Sequence, residues 1–153
     1  MPANINPIYS KAPALSSPGT GIQIILTAAM TQATAFNGTD ANCVLAFTAD
    51  ATNGGYVQKV RFKPYNTAGT TASAATVARI FINNGSTVAT ATNNTYYADI
   101  SLPAYTHTAV AGTVEIDYPL NIALPAGYKI YVGLATAPGS TNGWAATVIA
   151  GSY

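Results

Sequence analysis

Between residues 113 and 134 the chain alternates apolar and polar residues with a period of two, and that pattern leaves room for little but β-structure. Val114, Ile116, Tyr118, Leu120, Ile122 and Leu124 fall on one side, while Thr113, Glu115 and Asp117 fall on the other. Successive strand residues point to opposite faces, so a run of this kind lays one apolar face on a core. Leu124-Pro125-Ala126-Gly127 then sets Pro and Gly where a type I turn takes them. Tyr128, Ile130, Val132 and Leu134 resume the alternation. The two runs predict strands over 113–124 and 127–134 as adjacent antiparallel neighbours, with Val114, Ile116, Leu120, Ile130 and Val132 buried.

The same reading extends back to residue 22. Ile22, Ile24 and Leu26 alternate with Gln23, Ile25 and Thr27, and 43–49 is a short continuous apolar run. Within 56–63, Gln58, Val60 and Phe62 face one way and Val57, Lys59, Arg61 and Lys63 the other. Within 76–82, Ala78, Ile80 and Ile82 oppose Val77, Arg79 and Phe81. A weaker strand is expected at 86–91, another at 96–102 and a last one at 144–150. No window holds a helical period. Asn-Gly recurs at 37–38, 53–54, 84–85 and 142–143, and this pair supplies the positive φ that tight turns need. About eight short strands with turns between them predict an all-β fold, an antiparallel β-sandwich. A jelly roll fits best, with eight strands in two sheets; a plain immunoglobulin-like sandwich is the alternative. The longer stretches near 64–75 and 103–112 are expected to cross from sheet to sheet.

Residues 1–21 break this pattern. They hold Pro2, Pro7, Pro13 and Pro18 and few large apolar groups, which predicts an extended proline-rich arm ahead of a single β-sandwich domain over 22–153. Ile5, Ile8, Tyr9 and Leu15 are the residues that could anchor the arm on a partner.

Chemistry is thinly represented. Lys, Arg, Asp and Glu make up 7% of the chain and the formal net charge is +1, against about a quarter charged residues in an ordinary soluble domain. The surface must be covered with Thr, Asn, Ser, Ala, Gly and Tyr instead, which suits lasting contact with other protein. A charge so near zero gives no electrostatic footprint for nucleic acid. No apolar stretch approaches the roughly 20 residues of a membrane helix, and the first residues lack the pattern of a signal peptide. Neither a nucleic-acid nor a membrane partner is expected.

His107 is the one histidine and falls in a loop, Pro103-Ala104-Tyr105-Thr106-His107-Thr108, without the nucleophile and orienting carboxylate of a triad. Cys43 is the one cysteine and sits in an apolar run as a small buried hydrophobe. Asp40, Asp50 and Asp99 are scattered; only Glu115 and Asp117 share a strand face. Their spacing of about 7 Å would suit a glycosidase carboxylate pair, but a solvated face, or pairing with Lys59, Arg61 or Lys63, fits better. No Walker loop or dinucleotide fingerprint is present. No catalytic residue, cofactor or metal site is therefore expected. Lys59, Arg61 and Lys63 form one basic strand face, read either as a dock for an acidic partner surface or as a solvated face guarding a sheet edge. The tyrosines and Trp144 are a further possible contact surface, with Tyr96-Tyr97 placing one ring on each face of its sheet.

Three stretches carry a resemblance. They are Phe47-Thr48-Ala49-Asp50-Ala51-Thr52-Asn53-Gly54-Gly55-Tyr56-Val57-Gln58-Lys59-Val60-Arg61-Phe62-Lys63-Pro64, then Val77-Ala78-Arg79-Ile80-Phe81-Ile82-Asn83-Asn84-Gly85, then Leu124-Pro125-Ala126-Gly127-Tyr128-Lys129-Ile130-Tyr131-Val132-Gly133-Leu134. Together they resemble small virion structural proteins of tailed-phage and prophage gene modules, over roughly residues 43–150. The resemblance implies a non-enzymatic particle component found in the virion, a capsid decoration protein or a head-fibre or tail accessory protein. It brings no catalytic residue to carry over. The partners so implied are the major capsid protein or another virion protein, and further copies of the chain itself in a homo-oligomer such as a trimer. A carbohydrate- or receptor-binding module on a tail or fibre is the alternative.

Overall fold

A computed structural model of the chain describes residues 12–15, 24–30, 36–67 and 72–152. Its strands in chain order are β1 (Ala12–Leu15), β2 (Ile24–Leu26), β3 (Val44–Thr48), β4 (Gly55–Asn66), β5 (Thr76–Asn83), β6 (Asn94–Leu102), β7 (Ile116–Leu124), β8 (Lys129–Leu134) and β9 (Asn142–Ser152). All named strands pair antiparallel. The first sheet runs β1-β9-β4-β7, with β2 also on β9; the second runs β3-β8-β5-β6. The chain is thus an all-β antiparallel sandwich, as the alternation predicts. From β2 onward, only β5 and β6 are neighbours both in sequence and in a sheet; every other connection passes to the opposite sheet. The segments after β4 and after β6 are such crossings, where the sequence leads one to expect them.

Of the proline-rich stretch, only Ala12–Leu15 lies among the described residues. It pairs with the end of β9, Ala12 opposite Ser152 and Leu15 opposite Ile149. Ile5, Ile8 and Tyr9, with the rest of the expected arm, lie outside the described residues.

The two alternating runs do not form the expected hairpin. β7 pairs with β4 in the first sheet, and β8 lies between β3 and β5 in the second. Periodicity says which side of a strand is apolar, not which strand lies beside it. Leu120 and Leu124 of β7 meet Ile130, Val132 and Leu134 of β8 within one core, from opposite sheets. The Pro125–Gly127 turn is fastened to the loop before β4 by the Gly127 N–H, which donates to the Asp50 carbonyl at 3.0 Å. Gly54 abuts the same turn: a Cβ on it would stand 2.3 Å from the Leu124 carbonyl oxygen. Leu120, Ile130 and Val132 are buried as expected, whereas Val114 and Ile116 are half-buried against the core margin.

Between the sheets lies one apolar core. Val57, Val60, Phe62, Trp144 and Val148 enter it from the first sheet, and Phe47, Ile80, Ile130 and Leu134 from the second; all are fully buried. Each such side chain contributes roughly 1.5–3 kcal/mol by leaving water. Trp144 is therefore a core residue, not part of a contact surface.

Two bulges alter which side chains look outward. In β4 the register slips between Val57 and Lys59. Val57 consequently joins Val60 and Phe62 in the core, and Gln58 turns out to solvent beside Lys59, which corrects the facing read from strict alternation. In the β5–β6 pair, Phe81 lies opposite Tyr96 and Ile80 opposite Ala98, so Tyr97 is the extra residue. Both tyrosines are exposed as a result, not one on each face. The strand expected at 86–91 is a loop ending in a 3-10 turn, Ala91–Asn93. Asparagine side chains occupy its backbone groups: Asn93 Nδ2 donates to the Thr87 carbonyl at 2.9 Å and Asn94 Nδ2 to the Val88 carbonyl at 2.7 Å. Such local bonds compete with a sheet ladder. The Asn-Gly pairs at 37–38, 53–54 and 84–85 place Gly at positive φ. The fourth, Asn142-Gly143, instead opens β9, where a Cβ on Gly143 would stand 2.8 Å from the Leu26 carbonyl oxygen of β2.

Candidate functional site

Sequence points first to the basic face of β4. In the sheet, β4 brings Arg61 directly opposite Asp117 of β7. Lys59 Nζ lies 2.6 Å from Asp117 Oδ2, and Arg61 Nε donates to Asp117 Oδ1 at 2.8 Å. Arg61 Nη2 reaches Glu115 Oε1 at 2.8 Å, and Lys63 Nζ stands 3.7 Å from Glu115 Oε2. Glu115, just before β7, and Asp117 within it are thus the partners of the basic strand, one of the pairings expected of them. Hydrogen bonds from Arg61 and then Lys59 hold the Asp117 carboxyl well below the usual carboxylate range. An acidic surface docking here would compete with carboxylates already in place. These side chains are partly solvent-exposed, so solvent screens each pair and it adds little to stability.

His107 sits where the 103–112 segment covers the end of β4. Its Nε2 lies 3.2 Å from the Pro64 carbonyl oxygen, and its ring meets Tyr105 edge-on at 5.2 Å. β7 pairs with β4 only as far as Phe62. Pro64 therefore turns its carbonyl, and its missing N–H, to the side where no strand follows, which is where a strand tolerates proline. His107 serves this seam.

Cys43 belongs to a second, smaller apolar cluster on the outer face of the second sheet, with Met30, Phe81 and Tyr131. Met30 N–H donates to the Leu134 carbonyl at 2.7 Å, and Asn42 Nδ2 to the Ala29 carbonyl at 2.7 Å. These bonds seat Ala29–Met30 and Asn42–Cys43 beside the end of β8, where Ala29 forms a parallel bridge with Leu134. The Cys43 and Met30 sulfur atoms are 3.4 Å apart. Burial first, and then the negative charge of Asp40, push the Cys43 thiol up to about 11. A thiol so held is a packing group, not a nucleophile.

Next to this cluster lies an arrangement that sequence reasoning missed. Phe36 is 48% exposed, and its ring meets Tyr96 edge-on at a centroid distance of 5.0 Å. The Arg79 guanidinium stacks over Phe36, with Cζ 4.3 Å from the ring centroid. Arg79 Nε lies 3.4 Å from Asp99 Oδ1 across the β5–β6 pair. Burial and a hydrogen bond to Asp99 push the Tyr96 hydroxyl up to about 12. Alternation in β5 sets Arg79 with Val77 and Phe81 against Ala78, Ile80 and Ile82, and Tyr96-Tyr97 stand out as a possible contact surface. Phe36 had no strand pattern to place it. Beyond Arg79 and Asp99 the same outer face continues into a groove of about 520 Å³ lined by Val77, Ser101, Pro103, Ala135 and Thr136 among others.

Among the described residues no group of three or more His, Cys, Asp and Glu side chains stands together as metal ligands would. Leu15 contributes its backbone to β1. Comparison with known proteins finds no family model, no curated protein and no solved structure that matches the chain.

Proposed function

We propose that this chain is a non-enzymatic virion structural protein, a decoration protein that bridges major capsid subunits and assembles as a homo-oligomer. The observation that carries the reading is the strand order. β2-β9-β4-β7 facing β3-β8-β5-β6 is read here as the double Greek key of a jelly roll, an architecture used by viral capsid proteins as well as lectins. Fold alone does not assign a role, and two surface properties add support. With 7% charged residues, a large part of the surface can be covered by a neighbour without stranding ions. The main charged cluster, on β4 and β7, has its ions paired within the chain, so apolar and backbone contacts would carry the affinity. Many weakly held copies on one particle would gain by avidity.

The test compares particles with and without the protein under heat or osmotic shock, alongside mass spectrometry of purified particles. Bridging predicts that decorated particles survive a harsher challenge. Particles that burst at the same point with and without it would overturn the reading.

A further inference from the structure

We propose that the outer face of the β5–β6 ribbon binds a neutral oligosaccharide, seated on Phe36 and Tyr96, fixed by Asp99, which Arg79 holds in place from beneath, and extending into the groove beside Val77 and Ser101. Facing side chains on this ribbon recur every second residue. Phe81 opposite Tyr96, Arg79 opposite Asp99 and Val77 opposite Ser101 are therefore successive rungs, about 7 Å apart along the strands. The aromatic corner, the charged pair and the groove form one continuous track along the sheet.

Each rung offers a different part of what a sugar needs. Phe36 has its inner ring face against the Arg79 guanidinium and is 48% exposed overall, so the remaining ring surface is open to solvent. Apolar ring surface suits the C–H face of a pyranose, and an aromatic placed there lowers the cost of desolvating it. Phe36 and Tyr96 stand at 63° to one another, which makes a corner rather than a flat shelf. A corner receives the end of a soluble chain better than the side of a packed one. The Asp99 side chain is 43% exposed and presents carboxylate oxygens as hydroxyl acceptors, while Arg79, nearly buried under Phe36, is held in a fixed orientation. A few fixed polar groups within an apolar surface are the usual make-up of a small-ligand site. The charges of Arg79 and Asp99 cancel, so the track favours a neutral ligand over an acidic or a basic one. The groove beyond, with the Ser101 hydroxyl at its wall, gives a second sugar unit somewhere to go.

Glycan binding and shell bridging fail separately, since one is read on free protein and the other on particles. The full chain is titrated by calorimetry with gluco-, manno- and galacto-oligosaccharides and with oligogalacturonate as the acidic probe. One neutral series should bind with Kd at or below about 1 mM, the longer members more tightly than the monosaccharide. Phe36→Ala and Asp99→Asn should each weaken binding by about tenfold or more, and Ser101→Ala, at an exposed residue of the groove wall, should weaken it measurably with an unchanged melting temperature. Tyr56→Ala, an exposed tyrosine of the other sheet, should leave it unchanged. Binding of no neutral series, preference for the acidic probe, or equal loss in Tyr56→Ala would overturn the assignment. So would a change of oligomeric state in Phe36→Ala or Ser101→Ala, which would make this face a contact between copies.

Discussion

The two sheets share one core but treat their outer faces in opposite ways. On the first sheet, Lys59, Arg61 and Lys63 look outward and are answered by Asp117 of β7 and by Glu115 just before it. On the second, Phe81 and Tyr131 look outward and are covered by Met30 and Cys43. Inward, both sheets offer the same alternating aliphatic and aromatic side chains. The difference teaches that alternation alone specifies a sandwich, while the residues at outward positions decide whether a face meets water or takes a second layer. A row of long charged side chains keeps a face open; a Phe and a Tyr side by side recruit chain to cover them.

The comparison can be broken at several points. The largest effect is expected in the core both sheets share. Ile130→Ala should lose about 2–5 kcal/mol in chemical denaturation, and half-buried Ile116→Ala clearly less. Equal losses would mean that β7 is as deeply seated as β8. On the covered face, Gly133→Ala is expected to lose about 1–3 kcal/mol, because its Cβ would stand 2.6 Å from Met30 Sδ and 3.1 Å from Cys43 Sγ. Met30→Ala in the same chain should recover part of that loss. A neutral Gly133→Ala would show that the cover lifts freely.

On the open face the effects should be smaller and electrostatic. Asp117→Asn should lose about 1 kcal/mol or less, and less still in high salt. The folded-state pKa of Asp117 is depressed by Arg61 and Lys59, so its contribution is present above the unfolded carboxylate pKa near 4. That contribution is lost as pH falls from about 5 toward the folded value. Thermal melts should therefore separate wild type from Asp117→Asn at pH 6, and the gap should narrow steadily as pH falls below 4; a constant gap would refute the pairing. Last, the Cys43 thiol, with its pKa near 11, should resist iodoacetamide at pH 8 until denaturant is added. Fast labelling of the native chain would show that the second layer opens readily.

Much of this was legible in advance, and the part that was not shares one cause. Strands over 56–63, 76–82 and 96–102 could be read because branched and aromatic residues recur there at period two, and that over 43–49 because it is a short continuous apolar run. The match of Glu115 and Asp117 to the β4 cations could be anticipated because both sets share a period and opposite signs. Pairing could not: Leu124-Pro125-Ala126-Gly127 looks the same whether the chain folds back beside itself or steps across a core. Gln58 and Tyr97 also escaped, since a bulge is fixed by how two ladders meet and leaves no mark in either strand. Phe36 was invisible for a related reason. It lies in a loop, and its partners Arg79 and Tyr96 are brought to it only by the second sheet.

The placement of β9 carries a consequence in time. It lies between β4 on one side and β1 and β2 on the other, yet it is the last of these strands to be synthesised. The first sheet cannot be completed until β9 arrives: β4 can pair with β7 beforehand, but until then β4 and β2 have no ladder between them. Only the β5–β6 hairpin can zip up from local chain. Pairings between such distant segments must close long loops before any contact rewards them, and all-β chains of this kind fold in milliseconds to seconds rather than microseconds. Through that interval the apolar sides of β2 and β4 stay open to other chains. Crowded synthesis of many copies would therefore make a holding chaperone, or early capture by a partner, matter more to yield than the final stability does.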